Sequence, residues 1–395
     1  MAEPALRERT PTASTLHFGF VDGMRGFSSL FVVFHHVWQF AISSGSTAAP
    51  RWFRILSFLK FGDFAVVAFV AISGFCLMLP VISAPDENLS VDIRRFLRER
   101  SRRILPPYYA ALAASVLVIS LAPSLRRPSG LPWDITLPHF TIGNFVSHAL
   151  GIHNWSLDWR WGLNPPLWTV ALEFQIYLVF AFVLVPIWRV AGIWATIAIA
   201  FAIGVAPLAI GAGFADPWML GVFALGMAAA LIGTADESTF VWRHRFVSKV
   251  PIVVSLSAIV AIVVVSEAVE SETTRTLVRH VAVAIAMTQA LTAMAIRVCD
   301  GSRPSAPERL LSSLPVRRLG WFSYSLYLVH YPIVALITLV LVRNLGQTVP
   351  VNFALLTLTA VPASIGIAFA FHVAIERRFL NRPFEASPER LSAPD

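Results

Sequence analysis

The chain has 395 residues, of which 56% are hydrophobic and 14% are charged, and its formal net charge is +8. Its mean hydropathy of +0.68 and its low charged fraction exclude an ordinary soluble domain, in which about 25% of residues are charged. The composition therefore predicts an all-α fold: a polytopic membrane helical bundle with no fused soluble domain.

Ten apolar windows are long enough to cross a hydrocarbon layer, which needs about 20 helical residues. The fifth and sixth are the least clear, because a proline and two glycines blur the end of one and the other is short. The polar leader has no signal-peptide core, so the first helix is expected to be retained. We expect a tail at 1–17, a transmembrane domain at 18–376 and a tail at 377–395. The windows are 18–43, 62–83, 104–123, 165–187, 190–212, 217–233, 251–268, 278–297, 322–342 and 352–375.

Arginine and lysine are unevenly distributed among the segments between these windows. With the N-terminus inside, the segments that would face the cytoplasm hold 21 of them and the outer segments hold 9. This bias follows the positive-inside rule and predicts that both termini are cytoplasmic. The membrane is expected to be the inner membrane of a bacterium. The pI of about 10.2 therefore requires no nucleic-acid partner, because the positive charge lies where topology demands it.

The first window carries an arginine and a histidine at an informative spacing, Arg25 and His36. Eleven residues at about 100° per residue bring the two side chains to within about 20° of one helical face. Asp22 lies on the same stripe, whereas His35 falls about 80° away from His36. An ionisable group inside a bilayer is a functional candidate by default, although a single buried histidine is often a packing residue.

The segment after the second window is strongly basic, with the sequence RRFLRERSRRILPPYY. Arg100 and Arg103 are three residues apart, so one helical turn would place them together as a pair suited to phosphate oxygens. Pro106 and Pro107 fit the first turn of the next span, where N–H groups lack partners. The segment predicts a polyphosphate ligand at the inner membrane face, but topology or anionic-lipid binding alone would also explain its charge.

The fourth window begins with NPPLWTVALEFQIYLVF, in which Glu173 lies eight residues inside the outer edge. Counting 1.5 Å per residue places Glu173 and His36 each roughly 10–12 Å below the outer surface. The two groups are therefore expected at one depth, where they could share a proton. The alternative is a structural carboxylate that is hydrogen-bonded to a neighbouring helix, since an unpartnered one would be costly.

Further polar and aromatic residues lie in the outer and late parts of the chain. His330 is about eight residues from the inner edge of its window, roughly 12 Å by helical rise, and is expected to be too far from His36 to share its chemistry. Tyr324 and Tyr327 could be interfacial anchors. The outer segment 124–164 holds histidines and tryptophans that could stack on sugars or anchor the chain at the interface.

The sequence lacks the motifs of several other kinds of functional site. There is no glycine-rich phosphate loop, no nucleophile elbow and no Cys or His cluster with zinc-ligand spacing. We therefore expect no metal. Cys76 lies in a span and Cys299 in a loop, so the two should not form a disulfide.

Five sequence blocks carry a family resemblance when they are taken together and in order. They are D-G-x-R with a histidine after a ten-residue gap, FVAISGF, R-x-x-R followed by I-x-P, L-W-x-x-x-x-E-x-Q-x-Y, and S-Y-S-L-Y-L-x-H. With them the chain resembles the acyltransferase 3 family of integral-membrane acyltransferases from about Phe20 to Pro383. Thr169 stands where the family usually has serine. Barely twenty residues follow the last window, so the hydrolase-like domain that is fused to some members is expected to be absent.

The resemblance implies transfer of an acyl group, usually acetyl, from a coenzyme A thioester to a hydroxyl of a glycan or secondary metabolite. It also implies that His36 is catalytic and that Arg25, Arg100 and Arg103 bind the acyl-CoA, which is a co-substrate. We expect His36 to be the general base for the acceptor hydroxyl, and Glu173 to orient its imidazole and stabilise the cationic form. The supporting candidates, which include possible oxyanion donors, are Asp22, Ser73, Trp168, Tyr177 and Tyr324.

Other interpretations remain open. A proton-coupled exporter would also place His, Glu and Arg inside the bundle, and a lipid-binding scaffold would use the basic segment alone. A covalent acyl-histidine is an alternative to direct transfer. A surface glycan, a lipid-linked sugar and a macrolide-like metabolite would each fit as the acceptor.

Overall fold

The computed structural model describes residues 18–83, 93–235 and 252–380, and within these ranges the chain is helical with no strand. A segment in hydrocarbon must satisfy its N–H and C=O groups internally, which favours helices in every apolar window. The predicted tail at 1–17 and most of that at 377–395 lie outside the described residues. The main helices are α1 (Gly19–Ser44), α2 (Asp63–Ile82), α3 (Ile93–Leu121), α4 (Ile142–Leu150), α5 (Leu167–Val179), α6 (Val185–Val205), α7 (Met219–Thr234), α8 (Ile252–Ser266), α9 (Glu272–Cys299), α10 (Ala306–Leu311), α11 (Leu314–Trp321), α12 (Ser323–Ile337) and α13 (Val349–Ala374).

Seven helical stretches of the described residues are long and apolar enough to cross a membrane, so the prediction of about ten spans is not confirmed. α1 has 26 residues, but its Asp, Arg and His side chains lower its hydropathy. The fourth and fifth windows form one helical run that is interrupted at Gly192, where φ is 78°. α8 has only 15 residues. The seven stretches are Arg51–Ile82, Ile93–Leu121, Leu167–Ile210, Ala212–Thr234, Glu272–Cys299, Ser323–Leu345 and Val349–Arg378.

α2 and α7 pack against each other through glycines. A Cβ added to Gly74 would lie 2.1 Å from the carbonyl oxygen of Phe223, and one added to Gly226 would lie 2.0 Å from that of Ala71. Small residues at such an interface let the backbones approach closely, which is how helices associate where lipid is as apolar as the side chains. α2, which carries the FVAISGF block, is therefore packed directly against α7.

Glycines also hold α1 against the short helices α10 and α11. A Cβ added to Gly23 would lie 2.0 Å from the carbonyl oxygen of Leu311, and one added to Gly320 would lie 2.0 Å from that of Asp22. A Cβ added to Gly26 would lie 2.9 Å from the Gly320 nitrogen. The first turns of α1, which carry the arginine of the D-G-x-R block, are therefore fixed relative to α10 and α11.

The Gly23→Ala substitution should destabilise the protein, because the new methyl group would overlap the Leu311 carbonyl and force α1 away from α10. Overpacking costs about 1–3 kcal/mol, so we expect a lower thermal midpoint for the purified protein. Gly366→Ala in α13 is the matched control, since nothing lies within 4 Å of its added Cβ. Alanine should leave that midpoint unchanged or raise it. Equal midpoints for the two variants would contradict the close approach of α1 and α10.

A 3-10 helix, Arg51–Lys60, connects α1 to α2 beside the two histidines of α1. Residues three apart share a face in such a helix, and its three faces differ in chemistry. The carbonyl oxygen of Leu59 accepts a hydrogen bond from His35 Nδ1 at 2.6 Å, which fixes the inner face to α1. The buried face has Phe53 and Leu59, an exposed apolar face has Trp52, Ile55 and Phe58, and a third face has Arg51, Arg54 and Lys60.

Candidate active site

An ionic cluster forms at one end of the bundle, where α1, α2 and α5 meet. Arg25 interacts electrostatically with Tyr177, Asp22 and Glu173. Glu173 Oε1 accepts hydrogen bonds from Ser73 Oγ at 2.7 Å and from the Tyr177 hydroxyl. The carboxylate therefore has the partners that a membrane interior requires. Five of the residues that the sequence singled out come together in this cluster.

Arg100 of α3 faces the same cluster. It interacts electrostatically with Tyr177, Arg103 and Arg25, and its guanidinium carbon lies 5.6 Å from the centre of the Phe96 ring. Its buried Nε has no hydrogen-bond partner among the described residues. Arg25 likewise makes no hydrogen bond to any residue that the structure describes. Two guanidinium groups that repel each other and retain unused donors form a site that favours an anion. Arg103 is exposed at its edge.

Tyr324 connects α12 to α3 beside these arginines. Its hydroxyl donates to the carbonyl oxygen of Ile104 at 3.0 Å, and it interacts electrostatically with Glu173. This predicted supporting residue therefore borders the ionic cluster, and its hydroxyl proton is already used by α3.

His36 lies farther along the same stripe of α1, eleven residues and about 16 Å by helical rise from Arg25. Its Nδ1 lies 3.0 Å from Gln39 Oε1, and because an amide oxygen only accepts, Nδ1 is the donor and carries the proton. Nε2 then has a lone pair, with no partner within the described ranges, and the residue is partly exposed. The neutral imidazole is thus held in the tautomer whose Nε2 can accept a proton.

The predicted contact between Glu173 and His36 is wrong. Glu173 is bonded within the ionic cluster, and Gln39 takes the orienting position beside His36. The equal depths assumed straight helices that begin in one plane. In the structure Thr169, one turn before Glu173, is hydrogen-bonded to the Tyr327 hydroxyl at 2.8 Å, so Glu173 lies a turn farther from the histidine. A polar residue one turn after His36 was the signal that could have identified Gln39.

The predicted separation of His330 from His36 is also wrong. The two imidazole rings stack with centroids 5.2 Å apart and planes 29° apart, and Tyr331 meets His36 edge-on at 4.6 Å. The Nδ1 of His330 donates to the carbonyl oxygens of Leu326 and Tyr327 at 3.0 and 2.9 Å. Its buried Nε2 has no partner in the part of the chain that the structure describes. Counting from a window edge could not include the relative tilt of α1 and α12.

Tyr327 lies between the ionic cluster and the histidine pair. Its ring centroid is 5.9 Å from that of His330 and 5.7 Å from that of Phe69. The order along the bundle is therefore arginines, tyrosine, then histidines. A single ligand that contacts both ends must be long, narrow and anionic at the arginine end.

Trp168, a predicted supporting residue, belongs to a different contact. The guanidinium carbon of Arg160 lies 3.9 Å from the Trp168 ring centre and 4.6 Å from that of Trp161. Arg160 also forms an ion pair with Asp216 at 2.6 Å, and both residues are buried. Trp168 therefore covers a buried ion pair and is not brought to the ionic cluster.

A family model described as an acyltransferase domain, acyltransferase 3, matches residues 18–373. The chain belongs to this acyltransferase family. It is similar to the peptidoglycan O-acetyltransferase OatA of Listeria monocytogenes, with 24% identity over 85% of this chain and 52% of that protein. It is similar to the putative peptidoglycan O-acetyltransferase YrhL of Bacillus subtilis, with 24% identity over 94% of this chain and 56% of the relative.

A third relative of this acyltransferase 3 chain is the acyltransferase MdmB of Streptomyces mycarofaciens, 30% identical over 42% of this chain and 38% of its own length. The chain spans about half the length of the first two relatives. No solved structure matches it.

The segment between α3 and α5 packs onto the histidine end of the acyltransferase domain. Trp133 is buried and its ring stacks on Tyr331 at 5.7 Å, while the Tyr331 hydroxyl donates to the carbonyl oxygen of Pro132 at 3.1 Å. Trp155 Nε1 donates to Gln175 Oε1 at 2.8 Å, which anchors the segment to α5. Trp133 is therefore a packing residue, and the sugar-stacking alternative does not apply to it.

The histidines of this segment are neutral packing residues. His148 and His153 are fully buried with ring centroids 3.9 Å apart, and burial lowers the pKa of His148 to about 4 and that of His153 to about 2. The Tyr108 hydroxyl donates to the His148 carbonyl at 2.8 Å. His139 Nε2 donates to the carbonyl of Leu125 at 2.9 Å, and burial lowers its pKa as well.

Proposed function

We propose that the protein is a membrane O-acyltransferase that moves an acyl group, specifically acetyl, from acyl-coenzyme A to a hydroxyl of a glycan or secondary metabolite. Its family and the names of two relatives support transfer to a hydroxyl. The observation that carries the donor assignment is the arrangement along α1. Arg25, the member of the arginine pair that lies on α1, is about 16 Å from an imidazole whose Nε2 can accept a proton, and acyl-CoA is long, narrow and anionic at one end.

In the proposed reaction, Nε2 of His36 accepts the proton of the acceptor hydroxyl as that oxygen attacks the thioester carbonyl. The carbon–sulfur bond breaks, and the leaving thiolate takes the same proton from the imidazolium, which gives the ester and the CoA thiol. Gln39 fixes the tautomer of the base. Arg25 and Arg100 bind the diphosphate of the donor, and Glu173 holds Arg25 in place by its charge.

We assign the arginine end of the bundle to the cytoplasmic side of a bacterial inner membrane, with both termini in the cytoplasm. The basic segment at the start of α3 lies at that end, as the positive-inside rule favours. The donor would enter from this side, and the acceptor would meet His36 nearer the opposite face.

The experiment is thiol release by the purified protein in lipid nanodiscs, with acetyl-CoA and a panel of hydroxylated acceptors: a muropeptide, a lipid-linked disaccharide and a macrolide. We expect CoA to appear only when a suitable acceptor is present, and mass spectrometry to find the acceptor heavier by one acetyl group. A burst of CoA without acceptor would indicate an acyl-histidine route. Gradient-driven transport of a solute without any thiol release would support the exporter instead.

A further inference from the structure

A second positively charged site lies at the start of α1, apart from the arginine pair. It is an open cleft of about 530 Å³ between the first residues of α1, the end of α9 and the helices α10 and α11. Its volume is within the range of about 300–1,000 Å³ that small-molecule sites occupy. The charged residues that line it are Arg297, Glu308, Arg309 and Arg317.

The cleft has more positive than negative groups. Glu308 pairs with Arg297, with 3.3 Å between Oε2 and Nε, and the same carboxylate accepts the Ser305 N–H at 3.3 Å. Within the described ranges no carboxylate forms an ion pair with Arg309 or Arg317. Two guanidinium groups therefore remain without an ion-pair partner among the described residues.

Arg317 has an unused donor at this cleft. Its Nε is buried and has no hydrogen-bond partner among the residues that the structure describes. A buried donor without a partner is unfavourable, and a ligand oxygen would remove that penalty. Arg309 uses Nη1 for the carbonyl of Pro304 at 2.9 Å, and its remaining N–H groups are exposed to the cleft or to solvent. Phosphate oxygens are the partners that such groups favour.

The cleft lies near the proposed donor path. Gly19, which lines it, precedes Arg25 by six residues, or about 9 Å along α1. Gly23 packs closely on Leu311 and Gly320 on Asp22, so α10 and α11 lie directly against this part of α1. Gly19 at the cleft, Arg25 of the arginine pair and the imidazole of His36 therefore follow one another along α1.

We propose that this cleft binds the nucleotide end of the acyl-CoA donor, with Arg309 and Arg317 contacting the ribose 3′-phosphate. The proposal rests on the acyl-CoA-dependent function and adds a third point of contact to it. A phosphate monoester carries close to two negative charges near neutral pH, which matches the two guanidinium groups that form no ion pair within the described ranges. The diphosphate and the pantetheine arm would then extend along α1 toward His36.

The test compares Arg317→Gln with wild type on three donors: acetyl-CoA, acetyl-dephospho-CoA without the 3′-phosphate, and S-acetylpantetheine without the nucleotide. We expect the variant to raise KM for acetyl-CoA about tenfold or more and to leave kcat/KM for S-acetylpantetheine unchanged. Wild type with the dephospho donor should resemble the variant, which forms a double-mutant cycle between side chain and phosphate. Arg318→Gln is the matched control, because Arg318 is the exposed neighbour on α11 and does not line the cleft.

Binding of adenosine 3′,5′-bisphosphate by calorimetry provides a readout without turnover. Wild type should bind it, and Arg317→Gln and Arg309→Gln should each bind it about tenfold more weakly. An unchanged KM for acetyl-CoA, or an equal loss on all three donors, would overturn the cleft assignment while wild-type transfer remained intact. Wild type that releases no thiol from any donor would instead reject the proposed function itself.

Discussion

His36→Ala should abolish acyl transfer while the protein still binds acyl-CoA. A positioned general base contributes about 10²–10⁴-fold to a rate. His36 is partly exposed, and its hydrogen bond to Gln39 fixes the ring in the tautomer whose Nε2 can accept a proton. Arg25, the proposed donor contact on the same helix, is about 16 Å away along α1. We therefore expect kcat to fall by at least a hundredfold and the dissociation constant of CoA, measured by calorimetry, to change little.

Two variants of the same helix show whether this loss is specific. Ser43→Ala is the control, because among the described residues the exposed Ser43 hydroxyl bonds to the backbone carbonyl of Gln39 in its own helix and to nothing else, and its activity should match wild type. Gln39→Leu should lower kcat less than His36→Ala, since the base remains but its orientation is no longer fixed. Near-normal turnover by His36→Ala would reject the histidine as the base.

Features within one helix were predictable from the sequence, because helical geometry fixes them locally. The spacing of Arg25 and His36 placed both on one stripe of α1, and the three-residue spacing of Arg100 and Arg103 placed those two near each other. The electrostatic contact of the two α3 arginines is consistent with that spacing. The all-helical architecture likewise follows from the apolar windows.

Contacts between helices were not predictable by counting residues. Depth estimates paired Glu173 with His36 and separated His330 from it, and the structure reverses both results. Tilt and the plane at which each helix begins depend on side-chain packing, such as the contact of Gly320 with the Asp22 carbonyl. Sequence spacing contains no information about either quantity.

The number of spans was hard to predict for a related reason. α1 is a helix of 26 residues, yet it is not among the seven stretches that are apolar enough to cross a membrane. The polar groups of the candidate site lower its hydropathy. A functional helix that is enclosed by its neighbours does not need to be uniformly apolar, since its polar residues face other helices. The segment whose residue spacing best predicted the candidate site is thus also the one whose hydropathy gave the weakest prediction of a membrane span.

The second large effect is expected at the arginine pair. Arg25→Gln and Arg100→Gln should each raise KM for acetyl-CoA by about 10- to 100-fold, because a hydrogen bond to a charged group contributes about 1.5–3 kcal/mol. The two losses should not add fully, since both side chains contact one diphosphate. Steady-state kinetics at saturating acceptor would measure KM, and kcat should change less than KM.

The same two substitutions should affect stability in opposite directions, which separates a binding role from a purely topological one. Arg25 interacts with Arg100, so Arg100→Gln removes a like-charge repulsion and should leave the thermal midpoint of the donor-free protein unchanged or higher. Arg25→Gln should lower that midpoint, because the half-buried carboxylate of Glu173 would lose a nearby cation. Arg102→Gln, at an exposed position of α3, is the control for both measurements. If Arg100→Gln kept the wild-type KM, the charge of this helix would serve membrane orientation alone.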